Sequence, residues 1–214
     1  YEKAVRSADA AFKAGKYAEA KKHYSIAAQK NSKSPYPVAQ IAKINKVLDE
    51  RTKAGAYESV LSKADAALAA QNYEEAQGRY NQALAIKPLE AYPQAKLKEV
   101  LALLVEVAYN AALQKADANL AAQQLDEAQT AYEEASGLKP ELSYAREKLA
   151  ELAKLRDELA KEERYQSAIL NANTHYAAKR LKDAELALAE ALSIKPNDAY
   201  CLGQLQKIKD FRKA

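Results

Sequence analysis

Two histidines (His23, His175), one cysteine (Cys201) and the adjacent pairs Glu74/Glu75, Glu133/Glu134 and Glu162/Glu163 are where this 214-residue chain could do chemistry. A nucleophile needs a base beside it, and a metal needs ligands that converge on one point. No His or acid is placed in sequence to activate Cys201. Neighbouring glutamates splay around a helix instead of converging, because one residue step turns the helix by about 100°. The histidines occupy different positions in the repeat described below, so nothing in that pattern brings them together. Glycine-rich phosphate loops, the zinc-binding HExxH helix and calcium loops are missing from the sequence. The expectation is no catalytic, cofactor-binding or metal-binding residues, and hence no enzyme.

The elements that carry these side chains follow from composition. Five Gly and six Pro stand among abundant Ala, Leu, Lys, Glu and Gln, and 49% of the residues are hydrophobic. That mixture favours helix and suffices for a buried core. With one cysteine, a disulfide framework within the chain is excluded. The longest apolar run, VLALLVEVA at 100–108, is far shorter than the roughly 20 residues that span a bilayer, and it contains Glu106. Net charge is +4, unevenly spread, with 12 Lys/Arg against 5 Asp/Glu in residues 1–56. Such a balance does not call for nucleic acid, and the tyrosines are accounted for by packing rather than base stacking. The chain begins at Tyr1, contains no Met and shows no signal-peptide pattern, so it reads as a segment cut at a repeat boundary.

One phrase recurs along the chain. QNYEEAQGRYNQALAIKP at 71–88 returns as QQLDEAQTAYEEASGLKP at 123–140 and KRLKDAELALAEALSIKP at 179–196, with a looser form, GKYAEAKKHYSIAAQKNS, at 15–32. Aligning the copies stacks Tyr1, Tyr57, Tyr109 and Tyr165 at spacings of 56, 52 and 56, and stacks Tyr36, Tyr92, Tyr144 and Tyr200 likewise. Small residues form columns at Ala8/Ala64/Ala116/Ala172, Ala20/Ala76/Ala128/Ala184 and Ala27/Ala83/Ala135/Ala191. Large ones stand beside them at Tyr17/Tyr73/Leu125/Leu181 and Tyr24/Tyr80/Tyr132/Leu188. Small opposite large at helical spacing predicts an antiparallel helix pair per copy. Asn72 with Glu75 predicts a capping box, and Pro88, Pro140 and Pro196 predict the end of each second helix.

This pattern of a small residue, a turn, an aromatic, Ala, an aromatic, Ala and Pro resembles the tetratricopeptide repeat over residues 1–34, 57–90, 109–142 and 165–198. The chain departs from the family early in the first helix, where Ala4, Val60, Ala112 and Ala168 replace the bulky signature, and copies three and four lack the turn aromatic. The resemblance implies a helical repeat fold and protein–protein interaction.

Between the copies lie inserts of 22, 18 and 22 residues, at 35–56, 91–108 and 143–164. Apolar residues such as Ile41, Ile44 and Leu48, or Leu149, Leu152, Leu155 and Leu159, recur at helical spacing, so each insert predicts a third helix. No breaker separates the later inserts from the next copy. Long shared helices are expected over roughly 93–122 and 145–178, while Gly55 is expected to bend the earlier one. Pairs Lys154/Glu158 and Asp157/Lys161 are expected on an exposed face. The predicted fold is all-α, a helical repeat array of tetratricopeptide-like hairpins plus a third helix per unit, elongated or superhelical. Its units are 1–56, 57–108, 109–164 and 165–214.

A stripe remains. Val5 and Phe12, Leu61 and Leu68, Leu113 and Leu120, Ile169 and Tyr176 lie seven apart, with Asp9, Asp65, Asp117 and Asn173 between them. It is expected either to meet the third helix, the polar members hydrogen-bonded or paired with Lys at the edge of the contact, or to face a peptide partner in an open groove. The expected function is a non-enzymatic scaffold or spacer segment of a larger protein, with a protein or peptide partner, no nucleic acid and no membrane insertion. The alternatives are a regulatory or carrier segment of an enzyme and a peptide-binding groove. A monomer is expected, VLALLVEVA being buried at the centre of the array, with self-association through it as the alternative. Analogy favours a bacterial periplasm or cell envelope.

Overall fold

The computed structural model describes residues 1–213. Nine helices and no strand occur among the described residues, an all-α helical repeat. They are α1 (Glu2–Lys13), α2 (Tyr17–Lys30), α3 (Tyr36–Ala69), α4 (Tyr73–Ile86), α5 (Ala91–Ala121), α6 (Leu125–Leu138), α7 (Tyr144–Ala177), α8 (Leu181–Ile194) and α9 (Ala199–Lys213). The chain divides into two compact units, Tyr1–Leu104 and Val105–Ala214.

Each hairpin turns through one left-handed residue: Gly15 at φ 72°, Gln71 at 59°, Gln123 at 61° and Lys179 at 58°. The turn carries its own hydrogen bonds. Gln71 N–H donates to Leu68 C=O at 3.0 Å and Asn72 N–H to Ala67 C=O at 2.9 Å, satisfying carbonyls that the helix end would leave bare. Only the first hairpin uses glycine there; the other three accept the steric cost of a side chain. Asn72 caps α4 by accepting from Glu75 N–H at 3.4 Å. The return contact of the expected capping box differs: Glu75 Oε2 accepts from Asn72 Nδ2 at 3.1 Å, because the Asn72 backbone N–H is already committed to the turn. Helices α4, α6 and α8 end at Ile86, Leu138 and Ile194, two residues before Pro88, Pro140 and Pro196.

Packing repeats with the sequence. Ala8, Ala64, Ala116 and Ala172 on the first helices, and Ala20, Ala76, Ala128 and Ala184 on the second, are buried and let the backbones approach. Tyr24, Tyr80, Tyr132 and Leu188 fill the space beside them. A third helical segment adds two buried side chains per copy, Pro37 and Ile44, Pro93 and Val100, Ala145 and Leu152, and Cys201 and Ile208. In the first unit Ile44 completes the cluster of Ala8, Ala11, Ala20 and Tyr24, and Val100 that of Ala64, Ala76 and Tyr80. In the second unit Ile208 joins Tyr165, Leu188 and Cys201.

Apart from α9, the third segments are not separate helices. Helices α3 and α7 run 34 residues each, so insert and following repeat form one rod of about 50 Å. Helix α3 is continuous through Gly55, since a single mid-helix glycine costs only about 1 kcal/mol. Along α7, residues 153–164 are exposed except for half-buried Arg156, and Asp157 pairs with Lys161 at 2.5 Å. Lys154 and Glu158 form no ion pair among the described residues. VLALLVEVA contradicts the burial expected of it: Val100 is buried, but Leu101, Val105 and Val107 are 44%, 37% and 51% exposed. A helix packed on one side keeps its other side in solvent whatever its composition.

Candidate functional site: tyrosines around a shared carboxylate

The polar members of the stripe lie within the hairpins. Asp9 on α1 accepts a hydrogen bond from the Tyr24 hydroxyl of α2 at 2.5 Å and from the Tyr36 hydroxyl of α3 at 2.9 Å. One carboxylate oxygen thereby joins three helices. Asp65 repeats the arrangement with Tyr80 at 2.6 Å and Tyr92 at 3.0 Å, and Asp117 takes the Tyr132 hydroxyl at 2.5 Å. In the last hairpin Leu188 brings no hydroxyl, the acceptor is Asn173, and Tyr200 alone donates to it at 2.6 Å. The partners of Asp9, Asp65 and Asp117 are tyrosines; no lysine pairs with these residues among the described residues.

These hydroxyls are donors by environment. Burial first, and the adjacent carboxylate second, push Tyr24, Tyr80 and Tyr132 well above the usual phenol range. Tyr36 is raised chiefly by its bond to Asp9, and Tyr92 by burial and then Asp65. A phenol held neutral and already donating has no proton free for catalysis. It does hold helices together, because a hydrogen bond to a charged group contributes about 1.5–3 kcal/mol.

The apolar members of the stripe are half-buried, Tyr176 apart. Phe12 stacks edge-on with Tyr17 at 5.7 Å and touches the Ile44 cluster, to which Ile41 and Leu48 also belong. Leu61 and Leu68 pack with Leu97 and Leu104, Leu113 and Leu120 with Leu149, and Ile169 with Leu205 and Ile208. Val5 is half-buried, and Tyr176 is 38% exposed.

A second recurring contact was not expected. The lysine of each Lys-Pro pair lies over the tyrosine that opens the repeat: Lys87 over Tyr57 at 4.4 Å, Lys139 over Tyr109 at 5.5 Å and Lys195 over Tyr165 at 3.9 Å. Lys139 also pairs with Glu106, and Lys195 with Glu162 at 2.6 Å. The sequence did hold the signal, as a Lys column that accompanies the Tyr column in the last three copies. In the first hairpin Asn31 replaces the lysine, and Tyr1 instead shares a 2.7 Å hydrogen bond with Ser34.

The remaining reactive groups are quiet. Cys201 is buried, and burial, then Asp198, pushes its thiol up to about 11. Asp198 accepts from the Cys201 backbone N–H at 2.8 Å, which holds its carboxyl below the usual range. His23 lies on α2, 3.9 Å from Glu19, and His175 sits in the last turn of α7 with no partner for Nδ1. Among the described residues no group of three His, Cys, Asp or Glu side chains could hold a metal, and no helix is long and apolar enough to cross a membrane.

No protein-family model matches the chain, and no curated protein matches it. Solved structures do. The neighbours are tetratricopeptide repeat proteins. The C-terminal part of a repeat-containing protein from Cytophaga hutchinsonii is 14% identical, covers 93% of this chain and 98% of its own, and has a TM-score of 0.21. A TPR repeats protein from Bacteroides fragilis is 14% identical, covers 98% of each chain, and has a TM-score of 0.22.

Proposed function

We propose that this chain is a non-enzymatic scaffold for protein–protein interaction, built as four hairpin units over 1–56, 57–108, 109–164 and 165–214. One observation carries the reading: the interior is written nearly alike from copy to copy while the exterior is not. Ala recurs where helices meet in all four copies, and the core Tyr and its Asp in three. The outward positions Lys22, Gly78, Thr130 and Leu186 occupy one column and share nothing. A repeat that keeps its inside and varies its outside presents different surfaces on one frame. The tetratricopeptide descriptions of the neighbours agree with a scaffold role.

Photo-crosslinking tests it. A benzophenone amino acid placed at exposed positions such as Val38, Leu155 and Leu186 in the native host is expected to give discrete protein adducts at some positions and none at others. Adducts at no exposed position would overturn the scaffold.

The long exposed stretch of α7 favours a second reading, that the chain also spaces other domains. Small-angle scattering addresses this. Four units advancing about 30 Å each give a rod on the order of 120 Å, whereas a compact globule of this length has a radius of gyration near roughly 17 Å.

A further inference from the structure

The last hairpin carries a surface that its own fold does not require. A shallow groove of about 600 Å³ runs between α8 and α9. Its apolar lining is Leu186, Ala189 and Leu205, and Leu186 is 71% exposed. Lys182 and Lys209 stand on its rim, neither paired with a carboxylate among the described residues. Arg212 also borders it but is occupied, pairing with Glu185 at 2.8 Å.

The repeat supplies an internal control. The positions of Lys182, Leu186 and Ala189 are Ala18, Lys22 and Ser25 in the first copy, Glu74, Gly78 and Asn81 in the second, and Asp126, Thr130 and Glu133 in the third. Those copies build the same helix pair with polar, small or acidic residues there. Folding therefore does not account for the leucine, the alanine and the lysine together on α8. A solvent-exposed leucine flanked by free lysines is the composition of an interface whose partner has an apolar ridge and negative edges.

We propose that the α8–α9 groove takes an amphipathic helix of a partner protein, its leucine-type face on Leu186, Ala189 and Leu205 and its glutamate or aspartate flanks on Lys182 and Lys209. This rests on the scaffold reading and locates one of its contacts. The groove is lined by α8 and α9, and no residue of the Val5-to-Tyr176 stripe lines it. A helix laid in a groove between two helices buries its i, i+4 and i+7 side chains together, and the charges flanking that stripe fall over the rim.

The test uses the full chain and a labelled peptide of about 18 residues with Leu at i, i+4 and i+7 and Glu on both flanks, against the same peptide with Lys for Glu. Fluorescence anisotropy is expected to show binding of the Glu peptide, weakened by salt, and little binding of the Lys peptide. Leu186→Lys, and separately Lys182→Glu with Lys209→Glu, should each weaken it about tenfold or more. Leu186→Ala, with unchanged circular dichroism and melting, guards against loss of folding.

Binding of neither peptide, equal binding of both, or indifference to Leu186→Lys overturns the groove. So does a sedimentation mass that falls from two chains to one on Leu186→Lys, since a second copy would then be the occupant. Crosslinked adducts at other exposed positions would leave the scaffold standing if the groove fails. Adducts at Leu186 alone, together with peptide binding at the groove, would confine interaction to this site.

Discussion

The first and last hairpins solve the same packing problem with different chemistry. Between α1 and α2, Tyr24 fills the core and hands its hydroxyl to Asp9, which also receives Tyr36 from α3. Between α7 and α8, Leu188 fills the equivalent volume, and the acceptor is the neutral Asn173, which Tyr200 reaches alone. Charge is retained where a buried hydroxyl is available and dropped where it is not. A carboxylate facing a leucine would be desolvated with one donor fewer, whereas an amide needs less compensation. The polar group is fitted to the core beside it.

The largest test empties the shared volume. Tyr80→Ala should cost about 3–5 kcal/mol, and Leu188→Ala about 2–5, in denaturant melts followed by hydrogen exchange of the hairpin concerned. Equal losses at the two sites would mean that the hydroxyl network adds nothing to filling. A cycle then separates network from volume. Tyr80→Leu leaves Asp65 with Tyr92 alone, and Asp65→Asn leaves Tyr80 a weaker acceptor; the double variant reproduces the last hairpin. A coupling of about 1–2 kcal/mol, with the double less harmed than the singles sum to, is the expected result. Strict additivity would break the comparison.

Ala76→Leu and Ala184→Leu should each destabilise by about 1–3 kcal/mol and by similar amounts, because close helix approach is common to both hairpins. A large difference between them would show that the networked hairpin is the more tightly packed.

Alkaline pH sharpens the contrast. Tyr24, Tyr80 and Tyr132 have raised folded-state values, so the folded chain keeps protons that the unfolded chain loses above the ordinary value of 10.0. Their contribution is fully present below that pH and is lost as pH rises towards the folded value, at up to about 1.4 kcal/mol per unit and group. Melts between pH 9 and 11, about the ordinary phenol range, should show a falling stability that Tyr80→Phe flattens. Leu188→Phe should leave the slope unchanged.

The smallest expected effect lies in the turns. Gln71→Gly should stabilise by about 0.5–1 kcal/mol, since a left-handed residue without a Cβ avoids strain. Gly15→Gln should cost a similar amount.

The hairpins were legible because their determinants are local and repeated. Alanine columns, the large residues beside them and the Lys-Pro stops place helix ends to within a residue or two. Tyr132 and Asp117 are replaced together, by Leu188 and Asn173, in the last copy, a trace of their contact that the two columns taken separately do not reveal. Its geometry was not legible, since which side chain reaches Asp9 depends on how three helices rotate about their axes. The VLALLVEVA run misled for a related reason. Apolar composition states a preference for burial, but Leu101 and Val107 are buried only where a neighbour covers them.

Cys201 gives the chain a built-in clock. Its thiol is the only one in the sequence, is fully covered, and is held protonated to about pH 11. A maleimide or disulfide reagent meets a thiolate only after α9 has lifted from α8, so the rate of modification at neutral pH counts those openings. Every other part of the molecule stays silent in the same trace. The fraying of one end, and its suppression by anything that docks there, becomes readable without a single substitution in the chain.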